Sequence, residues 1–378
     1  MSSKHQISLP ARPTGFVTPL FDEIRRNPLL WFLLFVPVVL AMQTLQPEAH
    51  TLLFLLSILA IVPLAALLSL ATESVAAKTG DMVGGLLNAT LGNLTELVIA
   101  LAALHAGQYV LVKASIAGAI VTNALFMLGA SFLLGGLKHH VQEYNRNSSR
   151  LQAGLLFLAT IAILVPSIDT EVDSSAPFIH TLSVGLSVLL IVTYGLGLIF
   201  SLRTHREFFG GVDHGDVSEA QWGLGLALAV LAAVTVAVAL VSEVFVESVQ
   251  QAGTALGISP AFVGFIIVAL VGGAAEMATA VSAARKDRLD LSVGVALGSA
   301  SQIALFVAPV LVLVSYVIGP TPMDLQFWRG AVAMMLISAL TASMVTNAGR
   351  SAWFIGVLVV TVYVIFAMTL YLSPPRVL

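Results

Sequence analysis

Two glutamates stand where glutamate is hardest to keep: Glu96 near the middle of one long apolar run, and Glu276 somewhat past the middle of another. An ionisable group at hydrocarbon depth is costly and marks a functional site by default. On a helix, Asn88, Gly92 and Glu96 share one stripe at i, i+4 and i+8, and Gly272 stands in the same relation to Glu276. Glycine there lets another backbone approach closely, or lets the helix break and turn its carbonyls inward. Two carboxylates with freed carbonyls and side-chain amides make an all-oxygen site. Such a site suits a hard divalent cation such as Ca²⁺, which takes roughly six to eight oxygens. It does not suit zinc or copper, because no histidine lies nearby and the chain has no cysteine. The missing cysteines also exclude disulfides.

The surroundings of the two glutamates match. Leu91-Gly92-Asn93-Leu94-Thr95-Glu96-Leu97 parallels Val271-Gly272-Gly273-Ala274-Ala275-Glu276-Met277. A short polar or charged loop follows each, then a run rich in small residues, spanning Gly118 to Phe126 in one case and Gly298 to Phe306 in the other. For Asn88 and Asn123, ion ligation and an inter-helix hydrogen bond stand as equal alternatives. The preceding runs end in Thr72-Glu73-Ser74 and Ser242-Glu243-Val244. Glu73 and Glu243 read either as solvated interfacial charges or as proton carriers and gates; Glu247, one turn on, reads as solvated. Gly84-Gly85, and Gly294 with Gly298, read as helix packing. The histidines fall in loops or at run ends without metal-ligand spacing, and the Ser and Asp residues lack His partners within the runs. The expectation is a protein that is no enzyme, holds no cofactor and binds no nucleic acid.

A membrane must carry these residues. Of 378 residues, 58% are hydrophobic and 10% charged, against about 25% charged in a soluble globular chain. A bilayer core of about 30 Å takes about 20 apolar residues per helical crossing. Such runs fall at 29–46, 51–71, 84–105, 110–135, 152–167, 178–202, 221–245, 258–284, 291–318, 326–347 and 352–372. They are too long and too uniformly apolar for the strands of an outer-membrane barrel. The expected fold is therefore an all-α polytopic membrane protein with about eleven transmembrane helices. Trp31, Trp222, Trp328 and Trp353 each open a run, where an amphipathic ring belongs at headgroup level. The first run follows a polar or amphipathic leader and reads as a span, not as the core of a cleaved signal. In that leader Phe16, Leu20, Phe21 and Ile24 fall on one helical face before Arg25-Arg26, so a surface helix and a floppy tail are both open.

Charge sets the orientation. Of the 17 lysines and arginines, all but Lys113, Arg329 and Arg376 lie in the N-terminal tail and every second loop. By the positive-inside rule the N-terminus is cytoplasmic, and an odd span count puts the C-terminus outside. The outer loops carry Glu48, Asp169, Glu171, Asp173 and Asp324, acidity that reads equally as a face concentrating cations or as ordinary loop solubility. The net charge of −3 says little about partners beyond the lipid bilayer, and homo-oligomerisation is left open. The motif glutamates lie five spans apart, and an odd number of spans per copy turns the second copy upside down. Inverted repeats are the architecture of alternating-access transporters, with the binding site at the midplane. The expected division is 1–50 for the tail and an extra first helix, 51–202 for one five-helix repeat, 203–220 for a cytoplasmic acidic linker, and 221–378 for the second repeat.

Thr72-Glu73 together with Gly84 through Leu97 resembles the first signature of the CAX-type Ca²⁺/H⁺ (cation/H⁺) antiporters, within the wider Ca²⁺/cation antiporter superfamily. Gly272 through Glu276, Lys286-Asp287-Arg288-Leu289-Asp290-Leu291, and Gly294 through Ile303 resemble the second. The resemblance runs over nearly the whole chain from about residue 50. It implies that Glu96 and Glu276 are shared Ca²⁺/H⁺ carboxylates, with Asn93 and nearby carbonyls as further ligands. Asn123, Ser299 and Gln302 would line the site from the following spans. Two positions depart from the pattern: Gly273 stands where the family usually has Asn, and Met277 where a His often follows. The long regulatory tails of eukaryotic members are missing, which points to a prokaryotic plasma membrane.

The resemblance and the charges together imply exchange. Two close carboxylates in a low-dielectric site cannot both stay ionised without help, so either Ca²⁺ or protons must neutralise them, and Ca²⁺ leaves the cytoplasm as protons enter. Sodium-coupled calcium exchangers on the same fold are the alternative. They carry Pro before the motif glutamate, where this chain has Thr95 and Ala275. A cation channel is disfavoured by the inverted repeat.

Overall fold

The computed structural model describes residues 17–168, 176–205 and 222–373. Most of the expected 203–220 linker, Phe16, and the acidic residues Asp169, Glu171 and Asp173 lie outside the described residues. Helices account for nearly all of the rest, because in hydrocarbon only intrahelical pairing satisfies the backbone. A short helix α1 (Thr18–Arg26) leads into α2 (Pro28–Leu45) and α3 (His50–Lys78). Next come α4 (Asp81–Leu91), α5 (Leu94–His105) and α6 (Tyr109–His139). The strand β1 (Val141–Glu143) precedes α7 (Arg146–Ser167) and α8 (Phe178–Thr204). The second half holds α9 (Leu224–Leu256), α10 (Pro260–Gly272), α11 (Ala274–Arg285) and α12 (Leu289–Ile318). It ends with α13 (Arg329–Thr346), β2 (Arg350–Ala352) and α14 (Trp353–Leu372).

Among the described residues, nine helices are long and apolar enough to cross a membrane. The bent pairs α4–α5 and α10–α11, counted as one crossing each, bring the total to eleven. The spans agree with the apolar runs, with three differences. The leader, left open as a surface helix or a floppy tail, is helical over Thr18–Arg26: α1 packs Leu20 and Ile24 toward the core while Phe21 stays exposed, and the Trp31 indole donates to the Ile24 carbonyl at 2.9 Å. Trp222 is buried, not turned to the headgroups. Most telling, α3 and α9 run past the apolar stretches to Lys78 and Leu256, so Glu73 lies in the last two turns of α3 and Glu243 well inside α9. A span longer than the hydrocarbon thickness is accommodated by tilt, and periodicity alone does not show where the polar continuation stops.

The helices cross closely at glycines. A Cβ on Gly118 of α6 would run into the backbone of Phe265 on α10. Reciprocally, one on Gly264 would come within 2.6 Å of the Ala114 Cβ. Small residues at such crossings let backbones approach. Gly118→Val is expected to destabilise the bundle by about 1–3 kcal/mol or more through overpacking, read as a lower Tm of the detergent-purified protein. An unchanged Tm would show that the crossing yields freely.

Each face is tied by polar contacts. On the face rich in Lys and Arg, β1 pairs antiparallel with β2, Val141 opposite Ala352, a small β element among the described residues. There Gln142 Nε2 donates to the Ala284 carbonyl at 2.9 Å and to Asp287 Oδ1 at 2.8 Å, and the Asn145 N–H donates to Asp290. On the opposite face Lys113 Nζ donates to Asp324 Oδ1 at 2.6 Å and to the Gln326 carbonyl at 2.8 Å.

Candidate ion-binding site

Both broken spans put their glutamate in the same place. The α4–α5 pair bends by 41° and the α10–α11 pair by 57°. The breaks fall at Gly92-Asn93 and at Gly273. In each case the glutamate lies in the first turn of the second half-helix, where unpaired N–H groups and the helix dipole favour negative charge. The bend also separates Asn88 from Glu96: the single stripe expected from a straight helix is interrupted, and the Asn88 side chain is exposed.

The halves meet at the breaks. Gly272 leaves room for Glu96, since a Cβ there would stand 3.0 Å from Glu96 Cγ. The corresponding point on Gly273 is 3.6 Å from Glu96 Oε1 and 3.6 Å from Asn123 Oδ1. Asn123 Nδ2 donates to Ser299 Oγ at 2.8 Å, and Ser299 Oγ donates to Asn93 Oδ1 at 2.7 Å. The Ser299 hydroxyl also lies near the Glu276 carboxyl. Gln302 presents Oε1 3.4 Å from where a Gly92 side chain would begin. The structure thus gathers Glu96, Glu276, Gly92, Asn93, Asn123, Gly272, Gly273, Ser299 and Gln302, with the four polar uncharged residues among them all buried. Wide π-type turns at Thr122–Met127 and Ile303–Val307 directly follow or contain this polar set, and such turns concentrate at functional sites.

The gathered groups are not fully satisfied among themselves. Glu96 Oε1 and Glu276 Oε2 are sealed from solvent without a hydrogen-bond partner, as are Asn93 Nδ2 and Gln302 Nε2. A buried unpaired polar atom costs about 1–3 kcal/mol, a cost that a bound cation or proton here would offset. The donors are carboxylate and amide oxygens, the set a hard cation takes. A narrow cavity reaches from Glu96 past Ala100, Ser115, Ile116, Val268, Ile303 and Val307. Its lining is apolar apart from Glu96 and Ser115.

Glu73 and Glu243 are not drawn into the cluster. The half-buried Glu73 accepts from Ser69 Oγ at 3.2 Å, and Glu243 is exposed along α9. Their neighbours Thr72 and Ser242 are buried with unpartnered hydroxyls. Sequence reasoning placed both at matched positions in the two repeats without giving either a role.

Two inverted sets of helices, each with a broken span that carries an acid at its break, define a polytopic membrane protein of the secondary-transporter fold. The chain matches the sodium/calcium exchanger protein family over residues 49–203 and 226–372, and it belongs to that family. It is 39% identical to the Ca²⁺/H⁺ antiporter of Aphanothece halophytica, over 90% of this chain and 95% of that protein. To the Ca²⁺/H⁺ antiporter ChaA of Bacillus subtilis strain 168 it is 39% identical, over 85% and 92%. The crystal structure of the selenium-substituted Ca²⁺/H⁺ antiporter YfkE superposes with a TM-score of 0.78 at 35% identity, covering 92% of this chain and 100% of that one.

Proposed function

We propose that the protein is a Ca²⁺/H⁺ antiporter that expels Ca²⁺ from the cytoplasm by alternating access, with Glu96 and Glu276 as the shared carboxylates. The observation that carries this reading is the pair of orphaned carboxylate oxygens, Glu96 Oε1 and Glu276 Oε2, one at each helix break. Ca²⁺ or protons neutralise the pair, and an empty, doubly charged site is too costly to carry through an occluded state. Only loaded forms cross, and two protons balance one Ca²⁺. Asn93, Asn123, Ser299 and Gln302 supply oxygens and hold the carboxylates. Glu73 and Glu243 serve as proton carriers or gates outside the cluster, on two helices that pack along one another. The two family-matched stretches support a division into repeats at 51–202 and 221–378. The basic face, with Lys78, Lys138 and Arg285, is assigned to the cytoplasm of a prokaryotic cell by the positive-inside rule.

The test is radiolabelled calcium uptake into proteoliposomes under an imposed pH gradient, with a sodium gradient in parallel. Uptake is expected with the pH gradient and not with sodium. Because protons compete for the carboxylates, the apparent KM for Ca²⁺ is expected to rise as the pH falls. Uptake driven by sodium instead would move the protein to the sodium-coupled exchangers.

A further inference from the structure

The first break deprives one carbonyl of its helical partner. In an unbroken helix the Ala89 carbonyl would accept from the Asn93 N–H. The break falls at Gly92-Asn93, and among the described residues the Asn93 N–H makes no backbone hydrogen bond. Tyr194, from α8, takes the vacated place: its hydroxyl donates to the Ala89 carbonyl at 2.6 Å. The second break is closed differently. Ala269 and Gly273 stand there where Ala89 and Asn93 stand in the first repeat, and the Gly273 N–H donates to the Ala269 carbonyl at 3.1 Å. One break thus closes on itself, and the other is held open by a side chain from a different helix. Further back along α4, a Cβ on Gly85 would stand 2.7 Å from Leu202 Cδ2, so α8 lies along the half-helix that Tyr194 holds.

The tyrosine also reaches the second repeat. Its ring packs on Phe306, centroids 5.7 Å apart, in the wide turn Ile303–Val307 that follows Ser299 and Gln302. The same pair recurs with the repeats exchanged: on α14 the Tyr363 ring lies 5.1 Å from that of Phe126, in the turn Thr122–Met127. Phe126 and Phe306 stand at the same spacing as Glu96 and Glu276. The rings match and the hydroxyls do not. Tyr363 Oη accepts from Thr122 Oγ1 at 3.3 Å, a contact between side chains, whereas Tyr194 completes a broken backbone.

We propose that Tyr194 is a positioning residue for the cation site: by occupying the Ala89 carbonyl it keeps the Asn93 N–H off that oxygen, and so fixes the place from which the Asn93 side chain serves the site. This rests on the reading above in taking Asn93 as a ligand. A carbonyl at hydrocarbon depth has to be paired within the protein. Without the tyrosine hydroxyl, the donor that an ordinary helix offers is the Asn93 N–H. Taking it draws residue 93 back onto α4, as Gly273 is drawn onto α10. Asn93 Oδ1 accepts from Ser299 Oγ at 2.7 Å, and a bond of that kind weakens steeply as its geometry departs from ideal. Tyr194 therefore never touches the cation, yet decides where one of its oxygens stands.

The test titrates Ca²⁺ against the detergent-purified protein, reading an apparent Kd from the calcium-dependent Tm, beside uptake in proteoliposomes under a pH gradient and under a sodium gradient. Tyr194→Phe keeps the ring on Phe306 and removes only the donor. It is expected to raise the apparent Kd about three- to tenfold, the worth of one hydrogen bond. Tyr363→Phe, which removes the matched hydroxyl, is expected to leave the Kd unchanged. In Asn93→Ala, where no amide is left to position, adding Tyr194→Phe is expected to cost nothing further. A merely structural tyrosine would lower the calcium-free Tm and leave the Kd where it was, which overturns the inference. So does an equal rise in Tyr363→Phe, or a loss that adds in full to that of Asn93→Ala. A gain in affinity overturns it too, since the freed Ala89 carbonyl would then be a ligand itself. Sodium-driven uptake by the unaltered protein, with the Kd changes as expected, overturns the antiporter reading alone. No Ca²⁺ binding by the unaltered protein overturns both.

Discussion

Glu96→Gln and Glu276→Gln are each expected to cut calcium uptake at least about 100-fold while leaving a folded, monodisperse protein. Glutamine keeps the size and one oxygen of the side chain but carries neither the negative charge nor the exchangeable proton. With one carboxylate left, the cation loses half of its formal countercharge in a place where water does not compensate. Truncating one partner of a buried charged pair costs about 2–5 kcal/mol, and about 1.4 kcal/mol is tenfold. Both sites are expected to tolerate the change structurally, since Glu96 Oε1 and Glu276 Oε2 make no hydrogen bond that the fold would lose. The measurement is uptake under a pH gradient, alongside the Tm of each variant. Robust transport by Glu96→Gln would remove the shared-carboxylate scheme. Equal losses in both variants fit a site built across the repeats, whereas a large loss in one and none in the other would mean a site within one repeat.

The spans were legible because a bilayer needs length, and length is a property of the sequence alone. The two glutamates were legible for the same reason, as charges inside those lengths. The breaks were only partly so: glycine at 92 and 272 marked a place where the helix could break, but not that it bends by 41° and 57° and parts Asn88 from Glu96. Membrane helices are apolar on all sides, so no polar face announces which residues turn toward one another. That is why the Asn123–Ser299–Asn93 chain was not readable from local pattern, its members being 176 and 206 positions apart. Resemblance supplied Ser299 as a lining residue without its role as a junction. The pairing of β1 with β2 was hidden too, since three residues are too few for an alternating pattern to register. Glu243 lies deeper inside its helix than the apolar run showed, because hydropathy falls before the helix does.

Gly273→Asn is expected to tighten the apparent affinity for Ca²⁺ about tenfold. The two breaks are alike in backbone and unlike in side chain. Asn93 has φ −100° and ψ 33°, and Gly273 has φ −80° and ψ 7°, so no left-handed conformation demands glycine at 273. The first repeat nevertheless contributes an amide at its break and the second contributes none. A Cβ at 273 would stand 3.6 Å from Glu96 Oε1, the oxygen without a partner, and 3.6 Å from Asn123 Oδ1. An asparagine there is placed to give Glu96 a donor or the cation another oxygen. One such polar contact in a buried site is worth about 1.5 kcal/mol, hence the tenfold figure. The tightest neighbour is the Ala269 carbonyl oxygen at 3.2 Å, which has to give by a few tenths of an ångström. The readout is the apparent KM for Ca²⁺ at fixed pH, with Gly273→Ala as the control that adds bulk without an amide. If asparagine tightens binding and alanine does not, the glycine sets a weaker, looser site in which water takes the place of the missing amide. If both weaken binding alike, the space at 273 is needed by Glu96 itself, and the asymmetry between the repeats serves the movement of that carboxylate instead of the affinity.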